Sequence, residues 1–154
     1  MSHSLSLRLA GLRDREDFLR MSRSFYEESP FYPSISYSEE KVEKFLHLAV
    51  ETNGSQCVVI LLVANEVPCG MLIGLASEVP FSNDKVASEL AWWVDPPWRG
   101  RREALQLISA YEAWAVKVGC SSVAMSLLPT LTDLSKLYER RGYKKTEISY
   151  LKGL

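Results

Sequence analysis

Trp92-Trp93-Val94-Asp95-Pro96-Pro97-Trp98-Arg99-Gly100-Arg101-Arg102-Glu103-Ala104-Leu105 is the stretch on which the fold turns. Glu89 to Val94 reads as a strand. It must stop at Asp95-Pro96-Pro97, because proline cannot donate to a ladder. A basic turn then opens a long helix, predicted from about Arg101 to Val118 with Gly119 as its C-cap. Its apolar stripe is Ala104, Leu107, Ile108, Tyr111, Ala115 and Val118. A strand that gives way to a helix through such a turn builds an anion site. The first helical N–H groups have no internal partners, and the helix dipole adds partial positive charge. Gly100 allows close approach to the backbone, and Arg99, Arg101 and Arg102 add forked donors suited to phosphate.

On the N-terminal side, Leu5 to Leu9 alternates as a half-buried strand, and Asp14 offers a cap to a helix carrying Phe18, Met21, Phe25 and Tyr26. The loop Ser29–Tyr37 is rich in aromatics and proline. Ser38 then caps a second helix with Val42, Phe45, Leu46 and Ala49 on one face. Gln56–Val63 is a β-branched run, Asn65-Glu66 a turn, and Gly70–Ala76 the returning strand. On the C-terminal side the pattern predicts a strand over Ser122–Leu128, a helix over Thr132–Arg141 closed by Gly142, and a last strand over Thr146–Leu151. The order β-α-α-β-β-β-α-β-α-β implies an α/β (α+β) fold: one domain, residues 1–154, with a mixed central sheet flanked by helices.

Composition excludes several functions. The 154 residues carry 18 Lys and Arg against 19 Asp and Glu, so no global basic field points to nucleic acid. Three cysteines, Cys57, Cys69 and Cys120, do not form a disulfide framework, and the histidines His3 and His47 lack neighbours at ligand spacing. No metal site is expected. The apolar runs are too short to span a bilayer, and the N-terminus lacks a signal-peptide pattern, so the expected compartment is the cytoplasm.

A second stretch, Leu137-Tyr138-Glu139-Arg140-Arg141-Gly142-Tyr143, ends a helix at a glycine followed by an aromatic. In this order the two stretches resemble the GNAT acetyltransferases. Members carry Val-x-Pro, then Arg/Gln-x-x-Gly-x-Gly/Ala, then Leu-Tyr-Glu-x-x-Gly-Phe/Tyr. Here these are Val94-Asp95-Pro96, Arg99 to Ala104, and Leu137 to Tyr143. The compact form, with Tyr111-Glu112-Ala113-Trp114-Ala115 in the long helix, looks most like small bacteriophage members. Three departures stand out. Arg102 replaces the first motif glycine, and Leu131 replaces an asparagine common before the tyrosine. Tyr143–Leu154 holds one strand of normal length where the family usually has two.

The resemblance implies an N-acetyltransferase that moves an acetyl group from acetyl-coenzyme A to a small-molecule or protein amine. A GNAT-fold module without catalysis is the alternative. Trp93 and Val94 would bind the pantetheine arm through their backbones. Arg99, Gly100, Arg101 and Ala104 would hold the pyrophosphate, and Arg102 would reach the 3′-phosphate. An amine is protonated at neutral pH and needs a general base, for which Glu89 is the candidate. Tyr138 matches the family's general acid. Glu27, Glu28, Phe31, Tyr32 and Tyr37 combine acids with aromatics, which suits a cationic acceptor. With only one terminal strand expected, an open sheet edge would remain, and a homodimer could cover it.

Overall fold

In the computed structural model, which describes residues 4–154, a five-stranded sheet runs in chain order: β1 (Leu5–Leu9), β2 (Cys57–Ala64), β3 (Val67–Glu78), β4 (Lys85–Val94) and β5 (Ser122–Ala124). β1 to β4 form an antiparallel meander, and β5 lies parallel to β4. The parallel step requires a crossover, which α3 (Arg102–Lys117) supplies. The other helices are α1 (Arg15–Glu28), α2 (Glu39–Glu51) and the short α4 (Ser135–Arg140).

β2 is buried at every position, as its unbroken apolar run requires. Helices cover both faces. Phe18 and Met21 of α1 and Leu46 of α2 pack with Met71, Ile73 and Trp93 on one face. Leu107, Tyr111 and Trp114 of α3 pack with Val58, Ile60 and Leu72 on the other. Gly74 is needed there, since a Cβ would come within 2.8 Å of the Tyr111 ring. Burial on two faces by long apolar stripes is the main stabilising term.

Several sequence expectations differ from the structure, among them the start of α4 at Ser135 rather than Thr132 and the longer β3. Asp14 does not cap α1. Its carboxylate takes two guanidinium hydrogen bonds from Arg8 at 2.8 Å and the Gly11 N–H. The hydrogen bonds from Arg8 outweigh burial and hold its pKa below the usual carboxylate value. Ser38, by contrast, caps α2 as expected, accepting from the Lys41 N–H.

β4 starts four residues earlier than expected, at Lys85, because Lys85–Ser88 pairs with β3 and β5 despite a weak apolar pattern. β5 ends at Ala124 rather than Leu128. Its partner β4 carries a bulge at Leu90, where the register passes from Ile73↔Ala91 to Gly74↔Glu89. A bulge bends its strand, so β4 leaves β5 beyond Ser88 and no ladder remains to join.

The expected strand at Thr146–Leu151 does not form. A strand needs a neighbour's ladder, and β5 offers three residues. Tyr143 is held by its hydroxyl donating to Glu112 at 3.0 Å, and beyond it Ile148 and Tyr150 stay exposed at 66% and 94%. The outer edge of β5 is open among the described residues. No described helix is long and apolar enough to cross a membrane.

Candidate active site

The divergence of β4 from β5 sets the site. Below the bulge, Val86–Ser88 pairs with Ser122–Ala124. Above it, β4 keeps only β3. The Asp95 N–H bonds the Cys69 carbonyl at 2.8 Å, which puts Asp95 on the hydrogen-bonded rungs. By the alternation of an antiparallel ladder, Trp93 and Ala91 also turn their backbone groups toward β3. Trp92 and Val94 therefore turn theirs toward the gap. Of the two residues expected to offer backbone groups there, Val94 does so, and Trp92 takes the place of Trp93.

A cavity of about 100 Å³ opens in this gap. Glu89 and Tyr138 both line it, with Trp92 and Ser126. Burial pushes the Glu89 carboxyl up to about 7, although a hydrogen bond from the Ser126 backbone pulls the other way. Tyr138 donates to the Ser126 carbonyl at 3.0 Å. Burial and the nearby Glu89 charge both raise its pKa and keep it protonated. The cavity thus holds a carboxylate poised near neutrality and a phenol that keeps its proton. The raised carboxyl suits a base working near pH 7, and the phenol beside it is a protonated donor.

The basic turn lies at the upper end of β4. Gly100 sits at φ +75 and opens α3, whose first turn presents N–H groups outward. Ala104 is different. Its N–H bonds the Arg101 carbonyl at 3.1 Å and the residue is buried, so it is not a donor to a ligand.

The three arginines also divide. Arg99 donates to the Val94 carbonyl at 2.7 Å and stacks 4.6 Å over Trp93. Arg101 stacks 4.8 Å over Trp98. Arg102 is exposed and enters no ion pair among the described residues.

On the α1 face, an open groove of about 470 Å³ is lined by Glu27, Glu28, Trp93, Asp95 and Trp98, among others. Its acids have arginine partners: Glu27 with Arg23 at 3.7 Å, Glu28 with Arg99 at 3.7 Å, Asp95 with Arg20 at 3.1 Å. The aromatics expected beside them stand apart. Tyr37 packs on Tyr26 beneath Arg23, Tyr32 meets Tyr26 edge-on, and Phe31 is partly exposed on the loop. None of the three lines the groove or the cavity. Phe25, read from sequence only as a core residue of α1, does line the cavity. Among the described residues no cluster could hold a metal ion.

Solved structures share this architecture. An aminoglycoside acetyltransferase, AAC(6')-Iy, in complex with a bisubstrate analogue of coenzyme A is 19% identical, with a TM-score of 0.74 over 97% of this chain and 98% of that one. A ribosomal-protein-alanine N-acetyltransferase from Brucella melitensis biovar Abortus 2308 gives the same identity, TM-score and coverage. A predicted acetyltransferase from Clostridium acetobutylicum, solved with acetyl-coenzyme A, is 13% identical with a TM-score of 0.76 over 97% of this chain and 95% of that one. At these identities the likeness shows the fold. No curated protein sequence matches, and the narrower likeness to bacteriophage members gains no support from these comparisons. The family model is matched from α1 through the tyrosine that follows α4, residues 20–143, and so takes in the cavity, the turn and both motif stretches; the chain belongs to the acetyltransferase (GNAT) family.

Proposed function

We propose that this chain is a cytoplasmic N-acetyltransferase that uses acetyl-coenzyme A and acts on a small-molecule or protein amine by direct attack. The observation that carries this is the meeting of Glu89 and Tyr138 in one cavity, where β4 leaves β5, below the N-terminus of α3. The site suits the cosubstrate. Trp92 and Val94 turn backbone groups toward the gap, and the α3 turn offers N–H groups to a pyrophosphate.

Acetyl-coenzyme A, when bound, supplies an acyl group activated as a thioester. Glu89 takes a proton from the ammonium form of the acceptor, directly or through water, so that the amine is neutral when it attacks. Tyr138 gives its proton to the departing sulfur, and the second proton that the nitrogen loses on becoming an amide restores the phenol, directly or through water. The groove beside Glu27 and Glu28 is the approach for the amine. A homodimer through the open edge of β5 belongs to the same reading, and a monomer in sedimentation velocity would remove that part of it.

The test is thermal denaturation with acetyl-coenzyme A. Ligand at ~100 times its dissociation constant should stabilise the fold by about 2.7 kcal/mol. An unchanged melting temperature at millimolar ligand would exclude the reading.

A further inference from the structure

Glu112 of α3 accepts a hydrogen bond on each of its carboxylate oxygens. Arg141 donates to Oε1 at 2.5 Å, and the Tyr143 hydroxyl to Oε2 at 3.0 Å. The same Arg141 nitrogen donates to Ser109 at 2.8 Å, one turn earlier on α3. Arg141 and Tyr143 flank Gly142, whose φ of +91 lets the chain turn away from α4. One carboxylate thus takes both sides of the turn that ends α4. Glu112 and Arg141 are largely covered, at 29% and 25% exposure, so their charge-assisted pair is screened less than one in open solvent.

Helix α4 needs such an anchor. Its six residues are too few to hold a helix alone, no side chain caps its N-terminus, and Tyr138 is its one buried residue. Tyr138 belongs to the same corner. Its carbonyl accepts from the Tyr143 N–H at 3.0 Å, and the two rings pack with centroids 5.8 Å apart. Its hydroxyl meets the Ser126 carbonyl at the cavity that Glu89 shares. Proton transfer depends on where that hydroxyl is held, and a displacement of about 1 Å can cost about a hundredfold in rate. Resting on the reading above, in which Tyr138 is the acid, we propose that Glu112 is a positioning residue for Tyr138. Through Arg141 and Tyr143 it locks the end of α4 to α3 and so fixes the Tyr138 hydroxyl in the cavity. Glu112 does not line the cavity itself; it acts through the turn.

Steady-state thiol release from acetyl-coenzyme A tests this, with an aminoglycoside, a polyamine and a peptide N-terminus offered as acceptors. Glu112→Ala should lower the turnover number about tenfold and leave the KM for acetyl-coenzyme A within about twofold, as the loss of an interaction felt only in the transition state would. In a Tyr138→Phe background the same change should cost nothing further, because the hydroxyl it positions is gone. Glu112→Gln keeps the length and one acceptor oxygen, and should recover part of the loss. Should Glu112→Ala fail to fold, Glu112→Gln carries the same comparison in both backgrounds. An unchanged turnover number overturns the proposal. So does an equal loss in the Tyr138→Phe background, which would make Glu112 a support of the fold alone, or a raised KM at an unchanged turnover number, which would place its effect on donor binding. A parent protein that releases no thiol with any of the acceptors would overturn the acetyltransferase reading itself, and this role with it.

Discussion

The two halves of β4 have the same backbone and opposite fates. Val86–Ser88 is bonded on both edges, to β3 and to β5. Glu89–Val94 is bonded on one edge only. One bulged residue, Leu90, lies near the start of the second half. Below it, backbone donors and acceptors are spent inside the sheet. Beyond it they leave the sheet, with the Val94 carbonyl taken by Arg99, and a glutamate and a tyrosine share the space that opens. Burial in that space makes the Glu89 carboxyl useful, because the same carboxyl in water would be a weak base at neutral pH. The site is therefore made by ending a ladder. Its chemistry should depend on groups in the open half and be indifferent to the closed half.

The largest effect should come from Tyr138→Phe. The variant keeps the ring that packs against Tyr143, with centroids 5.8 Å apart, and loses the hydroxyl, with its proton and its hydrogen bond to the Ser126 carbonyl. Turnover should fall roughly ten- to a thousandfold, with coenzyme A affinity held within about twofold. Thiol release with a panel of amines measures the first, and calorimetry the second. An unchanged turnover number would make Tyr138 a packing residue.

Glu89→Gln should cost nearly as much, and its signature is a pH profile. The parent rate should rise with pH through about 7 as the carboxyl ionises, and the variant should lose that limb. Stability should change in the opposite sense. The folded state holds the Glu89 proton more tightly than the unfolded chain, whose ordinary value is 4.5. Stability at this site is thus present below 4.5 and lost as pH rises to about 7. Glu89→Gln should be the more stable protein at pH 8, by as much as about 3 kcal/mol, and equal to the parent at pH 4. Parallel denaturation curves at the two pH values would contradict the buried carboxyl.

Much of this was legible in the sequence, for local reasons. Asp95-Pro96-Pro97 can only end a strand, and Gly100 followed by a long apolar stripe can only open a helix, so the turn and α3 were readable. Tyr138 was readable through its motif. The bulge was not, because no glycine or proline marks Leu90. It inserts one residue into the alternation, which changes which tryptophan turns its backbone to the gap. The strand expected at Thr146–Leu151 failed for the converse reason. Its alternation is real, with Ile148 and Tyr150 in phase, but alternation records a tendency and the ladder needs a partner. The aromatics Phe31, Tyr32 and Tyr37 were placed by proximity in sequence, but Tyr32 and Tyr37 pack on Tyr26 and Phe31 stays on the loop.

The smallest effect, and the finest test of the open half, is at Arg102. Arg99 and Arg101 are drawn onto Trp93 and Trp98 by cation–π contacts, which leaves Arg102 as the arginine of the turn with neither a ring nor an ion-pair partner among the described residues. A side chain on the first helical residue points outward, away from a pyrophosphate cradled by N–H groups. In the proposed complex the 3′-phosphate of coenzyme A would be the anion it meets. Arg102→Ala should then weaken coenzyme A by about 1–2 kcal/mol, less at high salt, as a partly exposed charge-assisted hydrogen bond would. Dephospho-coenzyme A lacks that phosphate and should bind the variant about as well as the parent. Arg102→Gly should behave like Arg102→Ala, because the lost contact is the charge. If Arg102 instead obstructs the turn, Arg102→Gly would tighten both ligands equally. That result would mean that the open half of β4 leads to a closed door, and that the chain keeps the fold of an acetyltransferase without the room to bind the donor.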